Sequence, residues 1–488
     1  MKAPVYLGID LGTQSVRILA VTEEGSIAAS ASHPLTSARD GARHEQDPEQ
    51  WWRAVVACAR AVMDELGNQC EVKGLATDAT SGTILLIDDQ LRPLTAGLMY
   101  DDGRANDEAA IVNRAGEALW SKLSYRMQPS WALPKLVWLA WNGRIPKGAR
   151  LAHQNDFINA RLARRMLAGD SSNSLKTGFN LLRMQWPWEI LDSLALERGL
   201  FPEVVLPGMQ IGETGKAAAE LTQIPAGTPI FAGMTDGCAA QIASGAITVG
   251  SWNSVIGTTL VIKGVTQQLL RDPLGIVYSH RSPDNMWLPG GASSTGAGVF
   301  TKKFPGANLE TLSHSAQQMG PVQLVVYPLA GKGERYPFAA PEAEGFVIGQ
   351  ATSAEEEFAA TLQGIAFIER LAFDGLRKIG APTHGSLTSS GGATKSGALN
   401  QIRADVMQRT ISVPRVTEGA FGMAVLAAAH NSSIAEAAAR MVRMDRTIEP
   451  RRSFDEYADQ YAVLVDELAH RGWLPQDAAE FAHAGANL

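Results

Sequence analysis

The feature that most constrains this chain is an internal echo. The segment GIDLGTQSVRILAV at 8–21 is answered by NSVIGTTLVIKGV at 253–265, so Gly12-Thr13 recurs as Gly257-Thr258 half a chain later. A repeat at that distance implies two similar domains. The 488 residues, 45% of them hydrophobic, are too many for one ordinary core and apolar enough for two. The expected division is 1–247 and 248–488, with the junction near Ala246–Gly250.

Around the echo the pattern alternates between sheet and helix. VYLGID, SVRILAVT and SIAASASHPL read as a meander of strands separated by glycine turns. A helix follows, with Asp47 as N-cap, Pro48 at the first helical position and Gln50 completing a capping box. EVKGLATDATSGTILLID reads as strand, polar loop, strand. In the second half, Ser353 with Glu356 opens a helix to Lys378 that Gly380 stops, strand GSLTSS precedes a glycine turn and a helix over 396–408, and a last helix starts at Ser453 with Glu456 as box partner. This is an α/β pattern.

Several function classes are disfavoured. A net charge of −7 without any basic stripe argues against nucleic acid. No apolar run reaches the ~18–20 residues of a membrane span, and no basic segment followed by an apolar core opens the chain. Cys58, Cys70 and Cys238 are odd in number and lack CxxC spacing, which fits free thiols in a reducing compartment. A cytoplasmic location is expected.

Four segments can carry chemistry. Ile9-Asp10-Leu11-Gly12-Thr13-Gln14-Ser15 places a carboxylate at a strand end before a turn whose N–H groups and hydroxyls can hold a phosphate, while Asp10 can hold a hydrated Mg2+. Read alone, it is equally a hairpin that needs glycine. Gly257-Thr258-Thr259 repeats the device, and two such turns suit a triphosphate. Gly233-Met234-Thr235-Asp236-Gly237 puts a carboxylate at a helix mouth, where it can accept a hydroxyl proton. Its plainer reading, as an N-cap, stays open. Ser390-Gly391-Gly392-Ala393 joins a strand to a helix in a manner that suits a nucleotide against backbone. Trp131, Trp138 and Trp141 read as core or rim residues, His153, Gln154 and Asp156 as either a helix start or polyol contacts, and His44 and His280 as satisfied or exposed histidines.

Taken in order, GIDLGTQS, MYDDGR at 99–104, SWALPKLVWL at 130–139, MTDGCAA at 234–240, SVIGTT at 254–259, GGASSTG at 290–296, SGGATKS at 390–396 and EGAFGMAVLAA at 418–428 resemble the FGGY carbohydrate kinases. TDGCAAQIASGA and YPLAGKGERYPF are similar to the ketopentose branch, the D-ribulose and D-xylulose kinases. The resemblance implies two actin-like ATPase (ribonuclease H-like) domains flanking a central cleft, the first binding sugar and carrying catalysis, the second binding nucleotide. ATP and Mg2+ are the implied cofactors, a small sugar the partner, with no nucleic acid or membrane partner and a homodimer as an open option.

By the same resemblance Asp236 is the catalytic base, and Asp10 and Thr13 complete the catalytic group. Thr13, Gln14, Ser15, Gly257, Thr258, Gly296, Gly391, Gly392 and Ala393 bind ATP. Asp78, Ala79, Thr80, Asp101 and Asp236 bind substrate, while Asp10, through water, and Asp236 serve the metal. Thr77, Asp78, Thr80 and Ser81 stand where xylulose and glycerol kinases often carry Gly-Gln-Met-His. The expected reaction is phosphorylation of the terminal C5 hydroxyl of a ketopentose, D-ribulose narrowly ahead of D-xylulose. Glycerol, L-ribulose or another polyol is the alternative acceptor, and an actin-like ATPase without a sugar the rival class.

Overall fold

The computed structural model describes residues 2–486. The chain divides into two compact units, Met1–Gly245 with His280–Leu288 and Val416–Arg443, and Ala246–Ser279 with Pro289–Arg415 and Met444–Leu488. The first junction, Gly245/Ala246, falls two residues before 247/248, and two later segments rejoin the first unit. Residues 416–443 return to the first unit because the glycine-rich helix Gly419–Ala428 packs against the first strand: a β-carbon on Gly8 would lie 1.6 Å from the Ala420 carbonyl oxygen. Backbone approach that close needs glycine.

In the first unit a six-stranded sheet runs in the order Gln210–Glu213, Pro229–Phe231, Cys70–Ala79, Ala3–Leu11, Ser15–Thr22, Ile27–Pro34. Ala3–Leu11 pairs antiparallel with Ser15–Thr22 and parallel with Cys70–Ala79. The central strand presents Val5, Leu7, Ile9 and Leu11 to the core. Helix Pro48–Leu66 covers it with Trp51, Val55, Ala59 and Val62 at helical spacing.

The second unit repeats this order. Trp287–Ala292, Leu260–Gly264, Trp252–Ile256, Leu387–Ser390, Ile411–Pro414 and Met444–Ile448 are successive neighbours. Trp252–Ile256 is antiparallel to Leu260–Gly264 and parallel to Leu387–Ser390. The sequence echo is thus a hairpin joined by a Gly-Thr turn at the same place in both sheets. Helix Ala354–Lys378 is buried along most of its length, through Phe358, Leu362, Ile365, Ile368 and Leu371.

Cap chemistry departs from expectation in detail. Asp47 accepts from Glu49 N at 2.9 Å, but the Gln50 amide bonds Thr36 and ties the preceding strand's exit to the helix. Ser353 accepts from Glu356 N at 3.1 Å, while the Glu356 carboxylate reaches one residue further, to Thr352 N at 2.7 Å. Past Ser453 a single 3-10 turn precedes helix Ala458–His470, and Gln476–Ala486 adds one more helix. Among the described residues no helix is long and apolar enough to cross a membrane, and the three cysteines are free.

Candidate active site

In the first unit, two neighbouring parallel strands and two helix starts bring three carboxylates together. Asp10 and Asp78 are directly opposite in the parallel register, so their side chains leave the same face of the sheet. Strand Cys70–Ala79 then meets the segment that carries Asp236: Ala79 N donates to Met234 O at 3.3 Å, and a β-carbon on Gly233 would lie 1.8 Å from Thr77 O. Asp236 is the first residue of helix Asp236–Ala243, Thr235 being the N-cap, and is exposed, with Oδ1 accepting from Gly237 N at 2.7 Å. It is not the N-cap that the plainer reading required.

The fourth wall is the start of helix Gly419–Ala428. A β-carbon on Gly419 would come within 2.9 Å of Asp78 Oδ2 and 3.3 Å of Asp10 Oδ2, so glycine lets the helix start rest on both carboxyls. Two helix N-termini here favour negative charge. Glu418, the N-cap of that helix, is paired with Arg17 at 3.0 Å.

Burial and mutual repulsion dominate the electrostatics. Burial, then the charge of Asp236, pushes Asp10 up to about 6 against the help of Asp78 and Arg17. Asp78 is fully buried, and neither of its oxygens receives a hydrogen bond from any described donor. Burial, then the charges of Asp10 and Asp236, raises its pKa well above the ordinary value. Burial and the two neighbouring charges thus favour the protonated form of Asp78, whose proton can be shared with Asp10.

The Gly12–Ser15 turn is closed by Gly12 N to Ser15 O at 3.0 Å. It leaves Gln14 exposed and Thr13 and Ser15 part-exposed. Gln46, which the sequence did not flag, fixes it: its amide nitrogen donates to Thr13 O at 2.7 Å and its oxygen accepts from Trp51 Nε1 at 2.6 Å. Thr80 is buried, its hydroxyl bonded to Thr83 Oγ1 at 2.6 Å and Gln154 Oε1 at 2.9 Å. Asp101 is held by Arg39 at 2.8 Å and by His44 Nδ1. Burial opposes its ionisation, but these two partners outweigh it and hold it below the usual range. His44 is thus neither exposed nor fully satisfied: its ring is buried, and Nε2 has no partner among the described residues.

Lys135, also unflagged, is fully buried and donates to Gly82 O, Leu98 O and Met99 O at 2.7–3.1 Å, clamping the loops after Asp78 and before Asp101. His153 and Asp156 form the helix start, with His153 N donating to Asp156 Oδ2 at 3.0 Å. Trp131 is buried, Trp138 has the guanidinium groups of Arg104 and Arg144 each 5.0 Å from its ring centre, and Trp141 is half exposed.

In the second unit the Gly257–Thr259 turn is buttressed by 295–298. Leu260 N donates to Thr295 O, Ala297 N to Gly257 O and Gly298 N to Thr258 O, at 2.7–3.1 Å. Gly296 permits the contact, since a β-carbon there would sit 2.6 Å from Thr259 Cα. Gly391 has φ of 88° and rests on Ile256 O. Gly392 and Ala393 line a cavity of about 640 Å3 with Phe300, His314, Lys395 and Ser396. Asn400 does not face this cavity as a free amide: it donates to Thr394 O and Ser396 O, both at 2.8 Å, and so holds the turn.

Sequence profiles agree with this architecture. The profile of the N-terminal domain of the FGGY family of carbohydrate kinases matches residues 5–243, and that of the C-terminal domain matches 245–430. The chain belongs to the FGGY family of carbohydrate kinases, and it is a phosphotransferase with an alcohol group as acceptor. It is 27% identical to the xylulose kinase of Escherichia coli over 82% of this chain and 84% of that one. Among solved structures it resembles a xylulose kinase from Rhodospirillum rubrum, with a TM-score of 0.86 at 23% identity over 95% of this chain and 98% of that one. It resembles a gluconate kinase from Lactobacillus acidophilus as well, again at 0.86, with 20% identity over 96% and 98%. The fold is therefore common to kinases named for different acceptors.

Proposed function

We propose that the protein transfers the γ-phosphoryl group of ATP to the terminal C5 hydroxyl of a ketopentose, D-ribulose or D-xylulose. The observation that carries this reading is the cluster of Asp10, Asp78 and Asp236 under two helix N-termini, with a Gly-Thr turn beside it in one unit and its counterpart in the other. Asp236, exposed at its helix mouth, orients the acceptor hydroxyl and takes its proton. Asp78, Ala79 and Asp101 border the sugar, with Thr80 holding their loop in shape.

ATP lies with its phosphates on Gly257, Thr258 and Gly296 and its nucleoside against Gly391, Gly392 and Ala393, while Thr13, Gln14 and Ser15 meet the transferring group. Backbone N–H groups of both turns spread the charge that develops on the phosphate oxygens. The donor set fits a magnesium ion held mostly through water, since Mg2+ commonly keeps several waters beside one or two carboxylates. Asp10 and Asp236 would supply those carboxylates, and the ion would neutralise phosphate charge. The resemblance of the whole chain to xylulose kinases supports a pentulose acceptor.

ADP release measured against D-ribulose, D-xylulose, L-ribulose, glycerol and gluconate tests the reading. A D-pentulose should give the highest kcat/KM, and ATP turnover without sugar should be low. If glycerol, gluconate or L-ribulose exceeds both D-pentuloses by about tenfold, or ~1.4 kcal/mol in transition-state binding, the acceptor is misassigned.

A further inference from the structure

The YPLAGKGERYPF segment contains a buried carboxylate that the reaction does not use. Glu334 is 2% exposed. It accepts from Ser293 Oγ at 3.1 Å, Ser294 N at 2.6 Å, Thr295 Oγ1 at 2.8 Å, Tyr327 OH at 3.0 Å and Arg335 N at 2.9 Å. A carboxylate is tolerated in such a place only when donors replace its water, and here they come chiefly from one short segment, 293–295.

The carboxylate itself is fixed. Glu334 N donates to Ala340 O at 2.9 Å and Ala340 N returns the bond at 3.0 Å. Tyr336, two residues on, donates to Ala372 O at 2.9 Å, with its ring against Gly291. Arg335 adds a second grip, from Nη2 to Ser293 O at 3.1 Å. Residues 293–295 lead directly into 295–298, whose backbone carries the Gly257–Thr259 turn through the three bonds described above. That turn has Thr258 exposed and Gly257 and Thr259 half-buried.

We propose that Glu334 is a positioning residue for nucleotide binding, which sets the Gly257–Thr258 turn in its phosphate-binding shape by pinning Ser293, Ser294 and Thr295. The proposal rests on the reading that this turn holds ATP phosphates. Loss of the carboxylate frees 293–295, lets the turn sample other conformations and lowers its affinity for phosphates. The sugar side, built from the other unit, is untouched.

The test compares Glu334→Ala, Glu334→Gln and Gly296→Ala in the full-length enzyme. Glutamine keeps one acceptor oxygen for Ser294 N and Arg335 N, and two of the three hydroxyls on the other oxygen can turn to accept from the two N–H groups of its amide. Glu334→Ala should therefore raise KM for ATP, and Kd for ADP by calorimetry, at least tenfold with KM for the pentulose changed less than twofold. Glu334→Gln should recover most of that loss. If Glu334→Ala does not fold, Ser293→Ala combined with Thr295→Val removes two donors and should raise KM for ATP several-fold by itself.

Equal rises in both KM values, or a fall in kcat alone, would overturn the positioning role. Gly296→Ala separates the two claims, because its methyl meets the Thr259 backbone directly. If it weakens ATP while the Glu334 variants do not, Glu334 is only structural. If it too leaves ATP binding unchanged, the turn does not hold the phosphates.

Discussion

Asp236 and Asp10 lie in one cluster, yet physical chemistry assigns them opposite signatures. A positioned carboxylate that accepts a hydroxyl proton contributes about 10²–10⁴ in rate. Asp236→Asn should lower kcat by at least a hundredfold while the calorimetric Kd for ADP moves less than about threefold. A variant that keeps more than roughly a tenth of its turnover would place the proton elsewhere. Asp10 bears on stability as well as function. Its pKa rises from 3.8 to about 6 on folding, so the native chain binds its proton more tightly than the unfolded chain does, and keeping the group charged at neutral pH is unfavourable. Two pH units correspond to about 3 kcal/mol. Asp10→Asn should therefore inactivate the enzyme yet stabilise the ligand-free protein by up to about 3 kcal/mol at pH 8. The gain should shrink as pH falls through 6 and vanish below about 4. Urea unfolding at pH 5 and pH 8 measures this, and an equal stability difference at the two pH values would contradict the origin of the shift.

At the scale of elements, the site depends on two helices that meet without side chains between them. A β-carbon on Gly422 would lie 2.0 Å from Ala239 O, so helices Gly419–Ala428 and Asp236–Ala243 touch backbone to backbone. Gly422→Ala must push them apart, and with them Gly419 from Asp10 and Asp78. Overpacking of this kind costs about 1–3 kcal/mol. The variant should lose that much in urea unfolding and lose pentulose turnover with it. Unchanged stability would mean that the helix shifts without penalty. Strands and helices themselves were largely legible: SVRILAVT is strand Ser15–Thr22, and the helix read from Ser353 is Ala354–Lys378. Periodicity and cap residues are local signals, which explains that success. The capping partners of Gln50 and Glu356 were not legible, because Thr36 and Thr352 compete for the same side chains and proximity decides between them.

For the molecule as a whole, the echo of Gly12-Thr13 in Gly257-Thr258 determined that there are two like sheets, since a repeated strand-turn-strand needs the same neighbours to bury its apolar face. The motifs also marked Asp10, Asp236 and the glycine turns as candidates, through their order along the chain, since each one read alone has an ordinary structural use. The ownership of residues 416–443 was hidden. Nothing in EGAFGMAVLAA states which sheet it covers, and only close backbone contact at Gly8 and Gly422 returns it to the first unit. Hidden for the same reason were Gln46, Lys135 and Glu334, polar residues whose partners lie in other segments and whose patterns resemble ordinary surface positions. Local patterns thus encoded the repeat and the elements and marked candidate reacting groups. The tertiary structure alone decided that Asp78 is buried without a donor, that Asp10 titrates near 6, and which side chains hold the turns in place, because burial and charge proximity exist only once distant segments have packed.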